Sequence, residues 1–201
     1  MYRLMGVLMT AAFGAVVLAS PARAQTTSAR QVGVHINVAG GLSIPLGDLN
    51  DVSKAGWDLE GGAELTFGSS PFSVRGDVLF NSFSADKDRP SVIPADVDVW
   101  GGVLDIVYTF PQPDKSSMVK PYVLGGLGVY HSNPDFDGAL SDRSSTDLGI
   151  NLGGGLRFDL SGFSTFAEAR YHRIFSVNTA VTGGGSESFF PINFGVSFGT
   201  R

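Results

Sequence analysis

The chain contains no cysteine. An exported protein without cysteine holds its fold without disulfides, so stability has to come from a closed hydrogen-bond network and from burial against protein or lipid. Charge is scarce as well, with Asp, Glu, Lys and Arg together making up 16% of 201 residues. Bases are outnumbered, 14 Lys and Arg against 19 Asp and Glu, for a formal charge of −5, a balance that argues against nucleic-acid binding. Beyond the first two dozen residues no apolar run is long enough for a membrane helix. Glycine is abundant instead, at 27 residues, with aromatics at 11% and hydrophobic residues at 43%. Strands and turns, rather than soluble helices, use residues in these proportions.

Residues 1–24 have the three parts of a secretory signal: Arg3, an apolar stretch over residues 4–19, and the small residues Ala22 and Ala24 around Arg23. Cleavage is expected between Ala24 and Gln25, with no lipobox cysteine to make a lipoprotein. Residues 25–30 read as a short leader and residues 31–201 as one domain.

Within that domain the dominant signal is period two. Val32, Val34, Ile36 and Val38 share one face. Trp57, Leu59, Ala63, Leu65 and Phe67 oppose Asp58, Glu60, Glu64 and Thr66, and Phe72, Val74, Val78 and Phe80 oppose Ser73, Arg75, Asp77 and Asn81. Trp100, Leu104, Ile106, Tyr108 and Phe110 oppose Asp105 and Thr109. A fifth run over residues 119–131 is too rich in glycine for its parity to be assigned. Leu148, Ile150, Leu152, Leu156 and Phe158 oppose Asn151, Arg157 and Asp159. Ala167, Ala169 and Tyr171 oppose Glu168, Arg170 and His172, and Phe190, Ile192, Phe194, Val196 and Phe198 oppose Asn193 and Ser197. The pattern predicts an all-β fold of eight strands, an even number, as an up-and-down antiparallel barrel requires.

The connections sort by length. Residues 68–71, 111–117 and 161–162 are short, whereas 45–56, 84–99, 132–147 and 176–188 are long and polar. Aromatics sort with them. Trp57, Phe80, Trp100, Tyr171 and Phe190 fall beside the long connections, and Phe67, Phe72, Phe110, Phe158 and Phe198 beside the short ones or the C-terminus. Two aromatic girdles around an aliphatic band predict a transmembrane barrel with its apolar face toward lipid. The opposite face carries Glu60, Glu64, Arg75, Asp77, Asp105, Arg157, Asp159, Glu168 and Arg170. Inside a barrel these charges would line a channel or form a plug of ion pairs. Eight strands enclose room for little more than side chains, which favours the plug.

Two other chemistries come into question. His131-Ser132 and His172 lie near the long connections, but a nucleophile needs a base in reach and a group to orient it, and the sequence names no such set. Residues 133–138 have an oxygen-rich Asp135-Phe136-Asp137-Gly138 core without the downstream bidentate Glu of a calcium loop. The Gly183-Gly184-Gly185 stretch precedes no helix and reads as a loop tip rather than a phosphate cradle. The expectation is therefore no enzyme, no metal and no cofactor.

The stretches at residues 41–49 (GLSIPLGDL), 120–130 (KPYVLGGLGVY), 149–160 (GINLGGGLRFDL), 166–172 (FAEARYH) and 190–198 (FPINFGVSF) resemble the OmpA/OmpX-like outer-membrane β-barrel family, over roughly residues 31–201. The resemblance implies a closed eight-stranded barrel in the bacterial outer membrane, in contact with its lipid and lipopolysaccharide and folded by the barrel-assembly machinery. Members usually finish on an aromatic residue. Here Phe198 is followed by Gly199-Thr200-Arg201, which implies an offset assembly signal or less efficient assembly. No peptidoglycan-binding domain is expected. The function expected is a monomeric, structural or surface-interacting protein acting through its long extracellular loops on an unidentified ligand. A small solute channel comes next, and a lipid A-modifying enzyme is a distant third.

Overall fold

The computed structural model describes residues 32–47, 49–50, 53–84, 95–114, 117–136, 145–175 and 186–199. The signal segment with Ala24 and Gln25, the leader, and Gly183-Gly184-Gly185 lie outside them. Eight strands follow in order: β1 (Val32–Gly47), β2 (Gly56–Phe67), β3 (Phe72–Phe83), β4 (Ala95–Thr109), β5 (Val119–Phe136), β6 (Ser145–Asp159), β7 (Ser164–Ile174) and β8 (Glu187–Gly199). Each pairs antiparallel with the next, and β1 pairs with β8 to close the barrel.

The register fixes the shape. Stepping across pairs from His35 leads through Glu64, Arg75, Asp105, Gly126, Asn151, His172 and Phe189 to Pro45, ten residues beyond the start. A ten-residue stagger over eight strands corresponds to a strand tilt of about 40° and an interior that side chains can fill. Short connections join the strands at one end. At the β6–β7 turn Leu160 N–H donates to the Phe163 carbonyl at 2.9 Å, and Gly162 takes φ 95°, a left-handed conformation open to glycine at no steric cost.

Side chains alternate as the period-two pattern requires. Leu104, Leu127, Leu148, Leu152 and Phe194 are exposed on the outer wall. The fifth strand, whose parity its sequence hides, turns Val123, Leu127 and Val129 outward and Tyr122, Leu124 and Tyr130 inward.

The strands reach further than expected at the long-loop end. The stretch 45–56 begins with three residues of β1 and ends with the first of β2, 84–99 gives up residues 95–99 to β4, and 132–147 gives up 132–136 to β5 and 145–147 to β6. The stretch 176–188 ends with the first two residues of β8. Residues 133–136, read as the start of an oxygen-rich loop, therefore belong to a strand paired with residues 95–98. The cause is a phase reversal. From Trp100 onward the even positions of β4 are outward and apolar, but Val97 and Val99 are buried while Asp96 is exposed. Past the aromatic girdle the outer wall meets water, so the acids turn out and the apolar residues turn in. Trp100 consequently sits five residues inside its strand rather than at its end.

The interior is layered. At the loop end Leu79, Phe83, Val97, Val99, Val103, Tyr130, Ile174 and Phe189 form an apolar cluster, with Leu49 against it. His172 stacks on Phe189 with ring centroids 4.7 Å apart and bonds the Tyr130 hydroxyl through Nδ1 at 2.9 Å. A charged layer comes next, and a second apolar group of Val107, Tyr122 and Leu124 flanks it.

Candidate functional site: the charged interior

Two guanidiniums organise the middle of the barrel. Arg75 on β3 and Arg170 on β7 are each 1% exposed. Arg75 donates through Nη2 to Glu60 at 2.5 Å, through Nη1 to Glu168 at 2.8 Å and through Nε to Asp77 at 3.0 Å. Arg170 donates through Nη2 to Asp77 at 2.8 Å and Glu60 at 3.0 Å, through Nη1 to Asp105 at 3.2 Å, and through Nε to Glu168. The planar fork of arginine suits such multiple contacts. Tyr122 adds a hydroxyl donor to Glu168 at 2.6 Å, and Asn151 an amide donor to Asp105 at 2.7 Å.

Glycines make the room. A Cβ on Gly155 would lie 2.7 Å from the Tyr122 hydroxyl, so the absence of a side chain on β6 lets the β5 ring lie across the wall and reach Glu168.

All nine charged residues read from sequence as interior stand on inward-facing positions, and six of them meet in this one network: Glu60, Arg75, Asp77, Asp105, Glu168 and Arg170. The other three form separate pairs nearer the short turns. Arg157 donates to Glu64 at 2.5 Å, with Ser73 on the other carboxylate oxygen at 2.6 Å, and Asp159 pairs with Lys120 at 2.5 Å. Sequence reading missed Lys120, Tyr122 and Asn151 as partners. The first two lie on the strand of hidden parity, although Lys120 and Tyr122 do share one face two residues apart. Acids exceed bases inside, since Asp58 is also buried and its Oδ1 has no partner among the described residues.

Among the described residues those considered for catalysis share no hydrogen bond, although His172 and Ser132 both face inward, His172 bonding Tyr130. His131 faces outward, packed at a tilt against Trp100 with ring centroids 5.0 Å apart and bonded to Thr146 Oγ1 at 2.8 Å. Ser132, its neighbour, faces inward and donates to Glu187 at 3.0 Å.

On the outer wall the aromatics cluster at two levels. Near the loops Trp57 packs on Phe80 at 5.3 Å, and near the turns Phe72 meets Tyr108 at 5.0 Å, Tyr108 meets Phe110 at 5.1 Å and Phe163 meets Phe198 at 6.1 Å. Phe67, Phe158, Tyr171 and Phe190 are half-buried along the same wall.

The family model for the outer membrane protein beta-barrel domain matches residues 9–199. The chain belongs to that family. As an outer-membrane barrel it shares its fold with Neisserial surface protein A, at 19% identity over 83% of this chain and 96% of that one, with a TM-score of 0.55. A major outer membrane protein from Thermus thermophilus aligns at 13% identity over 85% and 100% of the two chains, with a TM-score of 0.61. The attachment invasion locus protein Ail of Yersinia pestis aligns at 16% over 84% and 97%, with a TM-score of 0.50. At these identities the likeness is one of fold. No curated protein matches the chain.

Proposed function

We propose that this outer-membrane barrel is a non-enzymatic scaffold whose interior is sealed and whose work is done at its surface, through the long connections at the loop end. The observation that carries this reading is the filled interior: two buried guanidiniums tied to four carboxylates, beneath an apolar cluster that includes Phe83, Val99 and Phe189. Ions crossing the barrel would have to break buried ion pairs, a step costing several kcal/mol, and pass an apolar constriction. The opposed faces of His131 and Ser132 support a non-enzymatic reading. Export by residues 1–24, monomeric residence in the outer membrane, delivery by the assembly machinery and contact with lipopolysaccharide belong to the same proposal.

The test is conductance of the refolded protein in planar bilayers. A scaffold gives silence at all voltages. Steady openings would overturn it in favour of a small solute channel, and the acid excess around Asp58 and Glu60 makes that channel cation-preferring.

A further inference from the structure

The interior changes chemical character at the short-turn end. A cavity of about 540 Å³ opens there, inside the mouth of the barrel, and its lining is rich in hydrogen-bond donors: Lys120, Arg157, His35, and the hydroxyls of Thr66 and Thr109. Asp159 is the acid in the lining, and both of its oxygens are already engaged, Oδ2 by Lys120 at 2.5 Å and Oδ1 by Ser164 at 2.8 Å. Glu64 beneath is spent in the same way, on Ser73 and Arg157. An ammonium group has three N–H donors and a guanidinium five. Among the described residues Lys120 uses one on Asp159, and Arg157 one on Glu64, while its Cζ lies over the Tyr122 ring, 5.5 Å from the centroid. The Lys120–Asp159 pair is open to solvent, at 39% and 23% side-chain exposure. At this mouth two cations with N–H groups to spare balance two carboxylates, whereas acids outnumber bases at the centre.

The geometry points to a binding site for a small oxyanion, a phosphate or carboxylate, held between Lys120 and Arg157 with hydroxyl donors around it. These polar lining residues stand on inward-facing positions, so the ligand is a solute entering the mouth rather than a lipid headgroup at the outer wall. Charge-assisted hydrogen bonds to oxyanions are short and strong for their kind, but the site is partly solvated, and affinity is expected on the order of 1 mM.

The experiment uses the isotope-labelled full chain, refolded in an uncharged maltoside detergent and titrated with inorganic phosphate at constant ionic strength. Saturable amide shifts are expected at His35, Thr66, Thr109 and Lys120. Lys120→Gln should weaken binding roughly tenfold, whereas Asp159→Asn, which removes the lining acid and frees the ammonium, should tighten it by about threefold. Lys54→Gln, near the loop end, should change nothing. Folding of each variant is checked by its heat-dependent migration on gels. If Lys120→Gln does not fold, the opposite sign at Asp159→Asn still decides. Absence of saturation, equal shifts from chloride alone, weakening by Asp159→Asn, or binding of a short-chain phospholipid but not of free phosphate would each overturn the assignment.

Discussion

Arg170 is the residue on which the interior most depends, and its replacement by Met can be followed quantitatively. The guanidinium touches Glu60, Asp77, Asp105 and Glu168, all buried. Arg75 also serves Glu60, Asp77 and Glu168, but Asp105 would be left with the Asn151 amide alone. Breaking a buried ion pair by removing one partner costs about 3–5 kcal/mol, because the remaining charge stays uncompensated. Arg170→Met is therefore expected to lose that much. Asp105→Asn alone leaves the arginine three carboxylates and should lose no more than about 1.5–3 kcal/mol, one hydrogen bond to a charged group. In the double variant the stranded charge is gone, so the combined loss should fall short of the sum by at least about 1 kcal/mol, within the range seen for residues in one network. Urea titration of folding into lipid vesicles supplies the free energies. Trp57 and Trp100, both exposed on the outer wall, report insertion by fluorescence. Additivity within about 0.5 kcal/mol, the behaviour of independent sites, would refute the network reasoning.

Three further outcomes follow from the same architecture. Leu152 is 68% exposed on the outer wall, so Leu152→Trp should be tolerated within about 0.5 kcal/mol, while Leu152→Arg should oppose insertion by roughly 2–4 kcal/mol; equal losses in the vesicle titration would place that wall against protein rather than lipid. Gly155→Ala drives a methyl toward the Tyr122 ring and the Ala167 carbonyl and should lose about 1–3 kcal/mol, whereas Gly76→Ala, with nothing closer than 3.9 Å, should be near neutral; matching urea midpoints for the two would contradict the packing. N-terminal sequencing of membrane-extracted protein should begin at Gln25, and an intact Met1 would exclude cleavage after Ala24.

Strand parity was legible wherever one wall meets lipid and the other meets ions. Trp57 to Phe67 and Leu148 to Phe158 could be assigned residue by residue, because their two faces differ in chemistry and the backbone allows only period two. The fifth strand resisted because Val123 and Leu127 face out while Leu124 and Tyr130 face in, so both faces are apolar, with glycines between. Strand ends were hidden for a related reason. Beyond the girdle the outer solvent changes from lipid to water, and at Val97, Val99 and Phe189 the pattern reverses without any break in the ladder. Which residues would be interior could be read from alternation. Which acid each arginine would meet could not, since Arg75 and Glu168 are separated by 93 positions and brought together only by the closed register.

The pairing of β1 with β8 runs antiparallel through thirteen registered positions, from His35 opposite Gly199 to Gly47 opposite Glu187. Both described ends of the chain therefore leave the barrel at the same rim, the one with the short turns. A single strand gained or lost would set the first and last strands parallel, forfeit that seam and carry one terminus to the other side of the membrane. Keeping an antiparallel seam restricts any change of girth to whole hairpins, two strands at a time.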